Sequence, residues 1–446
     1  MEGKLTLCIL ALVMSLVLLE MQIVDIGAQP LLNDLNLKAE RVIEGLDFPT
    51  SMAFLGPDDM LVLEKNTGQV RRIVNGTILD QPVLDVNVAN DFERGMLGIA
   101  VSHSGYYPTR NELQNETAMD HDNEGNHTYV FLFFTESRIY DGEDISNDTQ
   151  KGTVPLGNRL YRYEFLDGKL VNPNLLLDLP AIPESKHNGG VIVIGPDNNV
   201  YTVIGNVNDR ERPAYLTISE NYEKGSSPDG RAGILRITQD GISAEPAILG
   251  NATPLNRYYA YGIRNSFGMD FDPVTGNLWD TENGPSYGDE INLVEPGFNS
   301  GWSKVQGIWE RRGGSPADVN HNPEYLTNFE GKGNYSAPEF IWFKTVGPTA
   351  LKFLESDKLG KKYENDMFVG DINNGFLYHF DLNQNRTELL LDGVLGDKIA
   401  NEKIELADVL LGQGFDGGIT DIEVSPYDGY LYVLTDTGSI YRILRA

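Results

Sequence analysis

The chain has 446 residues, with 65 Asp and Glu against 35 Lys and Arg, for a formal net charge of −30. Its length suits two average domains or one large all-β domain, and 41% hydrophobic with 10% aromatic residues is too apolar for a disordered acidic chain. Such acidity repels phosphates, which argues against nucleic acid and anionic membranes as partners and suits cations.

In chain order, Lys4 precedes an apolar run over residues 5–19 that ends at Glu20, with the small residue Ala28 further on. Residues 1–28 are expected to be a secretory signal peptide cut before Gln29, with an uncleaved N-terminal membrane anchor as the alternative. The run is short for a bilayer span of about 20 residues. Either way the body of the protein is expected outside the cytoplasm, with no membrane span once the signal is removed. The one cysteine, Cys8, falls in this segment. The cleaved chain is then expected to have no disulfide, thiolate metal site or cysteine nucleophile. Asn-x-Ser/Thr sequons begin at Asn75, Asn115, Asn126, Asn147, Asn251, Asn334 and Asn385, and an exported chain can carry glycans there.

From residue 37 onward the chain is a succession of short β-rich runs and Gly, Asn, Asp and Pro turns. One phrase repeats: an alternating apolar strand, a turn built on Pro, then a second apolar strand. It occupies residues 52–62, 191–201, 269–279 and 422–432, with Pro57, Pro196, Pro273 and Pro426 at the reversals. Two looser copies join 97–101 to 129–134 and 350–353 to 367–369. Pro, Gly and Asn where the backbone must reverse are hairpin chemistry, and period-two strands between them argue for an all-β fold. A unit that cannot bury its own faces must stack on its neighbours, as in a propeller. The expectation is a single six-bladed β-propeller of four-stranded antiparallel blades over residues 37–446. Each blade then takes roughly 65–70 residues, more than four strands need, so the surplus goes into loops. The longest are expected near 102–128, 206–230 and 303–348.

Four polar stretches flank these strands. Residues 120–125, Asp-His-Asp-Asn-Glu-Gly, imitate the opening of a calcium loop, but the twelfth position would be Phe131 and the stretch reads better as a solvated loop. Residues 186–190 place His187 before Asn188, Gly189 and Gly190 at a strand entrance. Histidine is the natural base near neutral pH, and a surface histidine capping a turn is the alternative. Residues 261–268 carry Arg264, a fixed fork of donors suited to a carboxylate or developing oxyanion, or to a structural ion pair. Residues 281–292 hold Gly284 and Pro285 in a turn that exposes backbone carbonyls among carboxylates. That makes a candidate oxygen-ligand site for Ca²⁺, or simply a solvated acidic turn. Nucleotide-binding glycine motifs, His-Glu-x-x-His and Gly-x-Ser-x-Gly are all absent.

Taken together and in order, these stretches resemble the glucose/sorbosone dehydrogenase family. The match includes residues 91–100 around Glu93, His187-Asn-Gly-Gly, residues 230–237, Tyr261-Gly-x-Arg264-Asn265, Gly288-Asp-Glu-Ile-Asn and Gly301-Trp302. The resemblance implies a six-bladed propeller acting on an aldose sugar or related alcohol with pyrroloquinoline quinone (PQQ) and Ca²⁺, and an external electron acceptor. It implies His187 as general base, Arg264 stabilising charge on the reducing quinone, Glu93 and Asn265 beside the cofactor, and Gly284 and Pro285 as carbonyl ligands of Ca²⁺. Two departures stand out. The family orients its histidine with an Asp where this chain has Asn206, and Asn cannot stabilise an imidazolium as a carboxylate does. The family's basic anchors for the PQQ carboxylates align near 371–374 and 417–420, where there is no Lys or Arg. The alternatives are a non-catalytic propeller binding carbohydrate or protein at the same mouth, and a Ca²⁺-dependent hydrolase or lactonase.

Overall fold

The computed structural model describes residues 29–103, 127–138 and 154–446. The signal segment with Cys8, the loop at 120–125 and the sequons at Asn115, Asn126 and Asn147 lie outside the described residues. The four other sequon asparagines, Asn75, Asn251, Asn334 and Asn385, are exposed.

Each of the six repeated phrases folds into a hairpin, and each hairpin opens a separate sheet. The pairs are Pro49–Gly56 with Asp59–Glu64, Met96–His103 with Thr128–Ser137, Ile192–Ile194 with Val200–Ile204, Ser266–Phe271 with Leu278–Glu282, Pro348–Phe353 with Met367–Asp371, and Ile419–Val424 with Leu431–Thr435. The alternating apolar pattern explains why: both faces of these strands are covered by neighbouring sheets. Val62, Val203, Leu278, Val369 and Val433 are all fully buried.

The first strands of successive sheets touch one another in chain order, and the last touches the first, so the sheets close on themselves around a channel. Closure is also covalently staggered. The sixth sheet takes its outer strand, Leu37–Ile43, from the N-terminal end of the described chain, paired antiparallel with Ile440–Arg445. A ring closed this way exposes few sheet edges and needs no disulfide. The architecture is an all-β propeller.

Not every sheet stops at four strands. The third gains Phe298–Asn299 and Asn334–Tyr335, the fourth Ile399–Ala400 and the fifth Leu31–Leu32. These two-residue strands cover outer edges that would otherwise show unpaired backbone groups. The two long insertions among the described residues fold without long helices. Residues 205–232 carry the short 3-10 turns Pro213–Tyr215 and Ile218–Glu220, and the later insertion holds a small sheet of Val305–Gln306, Trp309–Arg312 and Ser315–Val319. Among the described residues no helix is long and apolar enough to cross a membrane.

Candidate active site

Where the first strands begin, a cavity of about 450 Å³ opens at one mouth of the channel. All six sheets wall it, through Ser51, Leu97, Val191, Phe267, Thr349 and Thr420 on or beside their first strands. Glu93, His187, Arg264, Asn265, Gly284 and Pro285 line this cavity, and Asn206 stands directly behind His187. Residues spread over almost two hundred positions of sequence therefore converge.

His187 enters the site in a left-handed conformation, φ +64°, followed by Gly189 and Gly190 at positive φ. A Cβ on Gly190 would lie 2.7 Å from Cβ of Leu97, so only glycine lets this segment pass the second sheet so closely. The backbone N–H of His187 donates to Oε2 of Glu93 at 2.5 Å. Its Nδ1–H donates to Oδ1 of Asn206 at 2.6 Å. That bond fixes the tautomer and leaves the Nε2 lone pair as the basic atom. Burial first, and then the nearby Arg264 charge, push the imidazole far below its usual range, to about 3. It is neutral at ordinary pH, as a base must be. Burial raises Glu93 above the usual carboxylate range, although hydrogen bonds and Arg264 oppose the shift.

Asn206 follows the strand Val200–Ile204, and Gly205 is what allows it to reach the ring. A Cβ there would sit 2.3 Å from the Arg264 carbonyl and 2.7 Å from that of His187. The Asn206 N–H instead donates to the Arg264 carbonyl at 3.0 Å, so one backbone contact sets the base relative to the arginine. Arg264 is buried. Its Nη1 donates to the carbonyls of Asn283 at 2.6 Å and Gly284 at 3.0 Å, and the guanidinium lies 5.2 Å from the Trp302 ring. Arg311, from the later insertion, lies 3.9 Å from the same ring and holds Glu211 with both terminal nitrogens. The insertion is thereby fastened to the wall of the site.

Asp209 was not among the sequence candidates, yet it lines the cavity. Its Oδ1 is 3.6 Å from His187 Nε2 and 4.0 Å from Arg264 Nη2, and its Oδ2 is 3.1 Å from Lys186 Nζ. Burial would raise its pKa, but Lys186, His187 and Arg264 together hold it lower than usual. The carboxylate missing at position 206 is thus present near the other ring nitrogen.

The turn after Leu278–Glu282 is braced by Asp289. Its Oδ1 accepts from the Gly284 N–H at 2.8 Å, and its Oδ2 from the N–H groups of Val346 at 2.7 Å and Gly347 at 2.8 Å. Burial lifts Asp289 to about 6 against the pull of these bonds. Beside the turn, the side-chain oxygens of Asn265 and Asn283 are buried without a hydrogen-bond partner. Such an acceptor costs about 1–3 kcal/mol unless something occupies it. These amide oxygens, with the nearby Gly284 and Pro285 carbonyls, are the donor type a hard cation such as Ca²⁺ takes, and the Gly284 carbonyl also accepts from Arg264 Nη1. Arg264 Nε is also buried and unpaired, and so fits an anionic or quinone oxygen. This end of the cavity fits a cation-bound quinone. The opposite wall offers Ile372, Asn373 and Thr420, with no cation; the cationic residues of the lining are Lys65, Lys186 and Arg264. Where the fifth and sixth sheets face it, a tricarboxylate would meet Asn373 and Thr420 but no cation, with the carboxylate Asp421 beside them in the lining.

Fold and site together define a β-propeller with a polar site at one mouth of its channel. Residues 46–442 match the family model described as Glucose / Sorbosone dehydrogenase, and the chain belongs to that family. It is 24% identical over 407 residues to the aldose sugar dehydrogenase YliI of Escherichia coli, covering 90% of this chain and 91% of that protein. It is also 24% identical over 460 residues to quinoprotein glucose dehydrogenase B of Acinetobacter calcoaceticus, covering 90% and 86%. Among solved structures, a Thermus thermophilus putative oxidoreductase (glucose dehydrogenase) superposes with a TM-score of 0.63 at 25% identity, covering 92% of this chain and all of that one. The PQQ-bound aldose sugar dehydrogenase of Streptomyces coelicolor gives 0.60 at 20% identity, covering 93% and 99%. Family and relatives point to an oxidoreductase of the glucose/sorbosone dehydrogenase type.

Proposed function

We propose that this chain is an exported sugar oxidoreductase, one domain of six blades over residues 37–446, that oxidises an aldose or related alcohol at the cavity around His187. The carrying observation is the neutral, tautomer-fixed imidazole at the wall of a channel-mouth cavity, with a buried guanidinium alongside. Nε2 of His187 accepts the proton of the sugar hydroxyl. Asp209, on the same side of the ring, stabilises the imidazolium that results and is also placed to accept a hydrogen bond from the sugar. Arg264 provides fixed positive charge where negative charge develops. Asn206 holds the ring in the one tautomer that leaves Nε2 free.

PQQ would be held by Arg264, Asn265 and Glu93, and Ca²⁺ by the carbonyls of Gly284 and Pro285 with the amide oxygens of Asn265 and Asn283. The quinone would supply the two-electron acceptor, and an external acceptor would reoxidise it. The apolar signal-like segment at residues 1–28 and the four exposed sequons support export and glycosylation.

The test is reconstitution of the purified mature protein with PQQ and Ca²⁺, followed by sugar-dependent dye reduction. Turnover that requires quinone, cation and aldose is the expected result. Absence of bound quinone at micromolar PQQ would leave the same mouth as a binding site for carbohydrate rather than a redox centre.

A further inference from the structure

The fifth sheet carries a second group of convergent side chains at its other end. Pro348 pairs with Asp371 near the cavity, and Phe353 pairs with Met367 away from it. Asp366, just before Met367, therefore lies at the end of the sheet remote from His187. Met367 pairs with Phe380 and Phe368 with His379 on the next strand. The same register sets Asp366 opposite Asp381, and the alternation of side chains puts both on the face that His379 shares. One donor atom from each of the three lies within 4.8 Å of the others. Nε2 of His379 is 3.0 Å from Asp366 Oδ2 and 3.5 Å from Asp381 Oδ1.

Two aspartates opposite each other across a strand pair repel, so something must offset the arrangement. Among the described residues, neither carboxylate forms an ion pair with Lys or Arg. Lys362 acts on Asp381 through space, but its Nζ is paired with Asp34 at 2.6 Å. The imidazole is already immobilised, edge-on to Tyr363 at 4.8 Å and tilted against Phe368 at 5.2 Å. Its backbone N–H donates to Val409 at 2.8 Å.

Ligands about 2.0–2.2 Å from a shared ion, at tetrahedral or octahedral angles, lie about 3.0–3.5 Å from one another. The two spacings from His379 Nε2, 3.0 Å and 3.5 Å, match. One imidazole with two carboxylates suits a divalent first-row transition metal, whereas Ca²⁺ has no preference for the nitrogen. We propose that Asp366, His379 and Asp381 form a transition-metal site, taking Zn²⁺, Co²⁺ or Mn²⁺, on the fifth sheet away from the cavity. Asp366 is buried and Asp381 exposed, so the ion keeps its remaining positions toward water. Bound there, it ties the strand Leu377–Phe380 to the segment entering Met367–Asp371. It stabilises the folded chain because the unfolded one offers no such constellation.

The full-length protein, dialysed against chelator and returned to excess Ca²⁺ to fill oxygen-only sites, is titrated with Co²⁺ at neutral pH. Calorimetry and the visible absorption of bound Co²⁺ are the readouts. The wild type and His187→Ala should bind one Co²⁺ in common. His379→Ala and Asp381→Ala should each weaken that event by at least about tenfold, the scale seen even for outer partners of a metal site. Because Asp381 is exposed, Asp381→Ala keeps the fold and decides the matter even if His379→Ala does not fold. An unaltered titration in Asp381→Ala overturns the proposal, as does a wild type that binds no Co²⁺.

Discussion

The imidazole of His187 and the side-chain amide of Asn206 meet at 2.6 Å, Nδ1–H to Oδ1. The pair orients the ring through a neutral partner, so the histidine gains a fixed tautomer without a carboxylate on Nδ1. Asn206→Asp should place that charge on the Nδ1–H, raise the imidazole pKa and stabilise the imidazolium. Turnover should rise and its acid limb should move to higher pH. An unchanged rate and an unmoved limb would mean that the ring is not the proton acceptor.

Arg264 and Asp209 act on the same ring with opposite sign. Arg264 lowers the imidazole pKa and Asp209 raises it. Arg264→Ala should therefore move the His187 titration midpoint upward from about 3, and Asp209→Asn should move it further down, each by about one pH unit. NMR titration of the imidazole resonances reads this directly, whether or not the variants turn over. Equal shifts of the same sign would contradict the geometry.

Gly205→Ala tests the convergence of three backbones. Its Cβ would meet carbonyls at 2.3 Å and 2.7 Å, in place of open contact. Neither is the end of a flexible side chain, so the backbone must move. The expected cost is about 1–3 kcal/mol of stability, with loss of the Asn206–Arg264 hydrogen bond and of activity. Chemical denaturation and steady-state kinetics measure the two effects.

The wall at Asn373 and Thr420 carries no cation and has Asp421 beside it, which predicts that PQQ binds less tightly than a basic wall would allow. Asn373→Lys or Thr420→Arg should each tighten PQQ binding by roughly tenfold, the worth of one charged hydrogen bond of about 1.5–3 kcal/mol discounted for partial exposure. Fluorescence or calorimetric titration with PQQ reads the change. Weaker binding in both variants would place the carboxylates elsewhere in the cavity.

Behind the site, Asp280 and Glu290 are buried, and burial lifts them to about 7 and about 8. Both folded values lie above their unfolded ones, near 4. The folded state therefore holds more protons between these limits, and stability falls as pH rises from about 4 to about 8. Both oxygens of Asp280 are buried, and Asn292 and Ser266 only partly oppose the shift. In chelator-treated protein, Asp280→Asn should flatten this decline and raise the melting temperature at the alkaline end. A wild type whose stability is flat across that range would contradict the assignment.

Much of this architecture was legible in the amino-acid order. The six hairpins were readable because alternation of period two and a Pro-centred reversal are local signals. His187, Arg264 and the Gly284–Pro285 turn were readable because each adjoins one of those hairpins. Other features depend on distant chain and left no local trace. The closing pair of Leu37–Ile43 with Ile440–Arg445 joins opposite ends of the sequence. The two-residue edge strands are too short to carry a period. Asp209 gains its place from the path of residues 205–232, and nothing in its spacing from His187 indicates that the two meet. Asp366, His379 and Asp381 look like scattered polar residues until the strand register aligns them.

The central claim is that Nε2 of His187 accepts the proton from the sugar. The most direct measurement compares wild type and His187→Ala, both reconstituted with PQQ and Ca²⁺, for quinone binding by absorbance and for aldose-dependent dye reduction. The account predicts that the variant binds quinone within a few-fold of wild type while its turnover falls by about 10²–10⁴, the usual contribution of a positioned general base. A variant that binds quinone normally and still oxidises the sugar at the wild-type rate would contradict it.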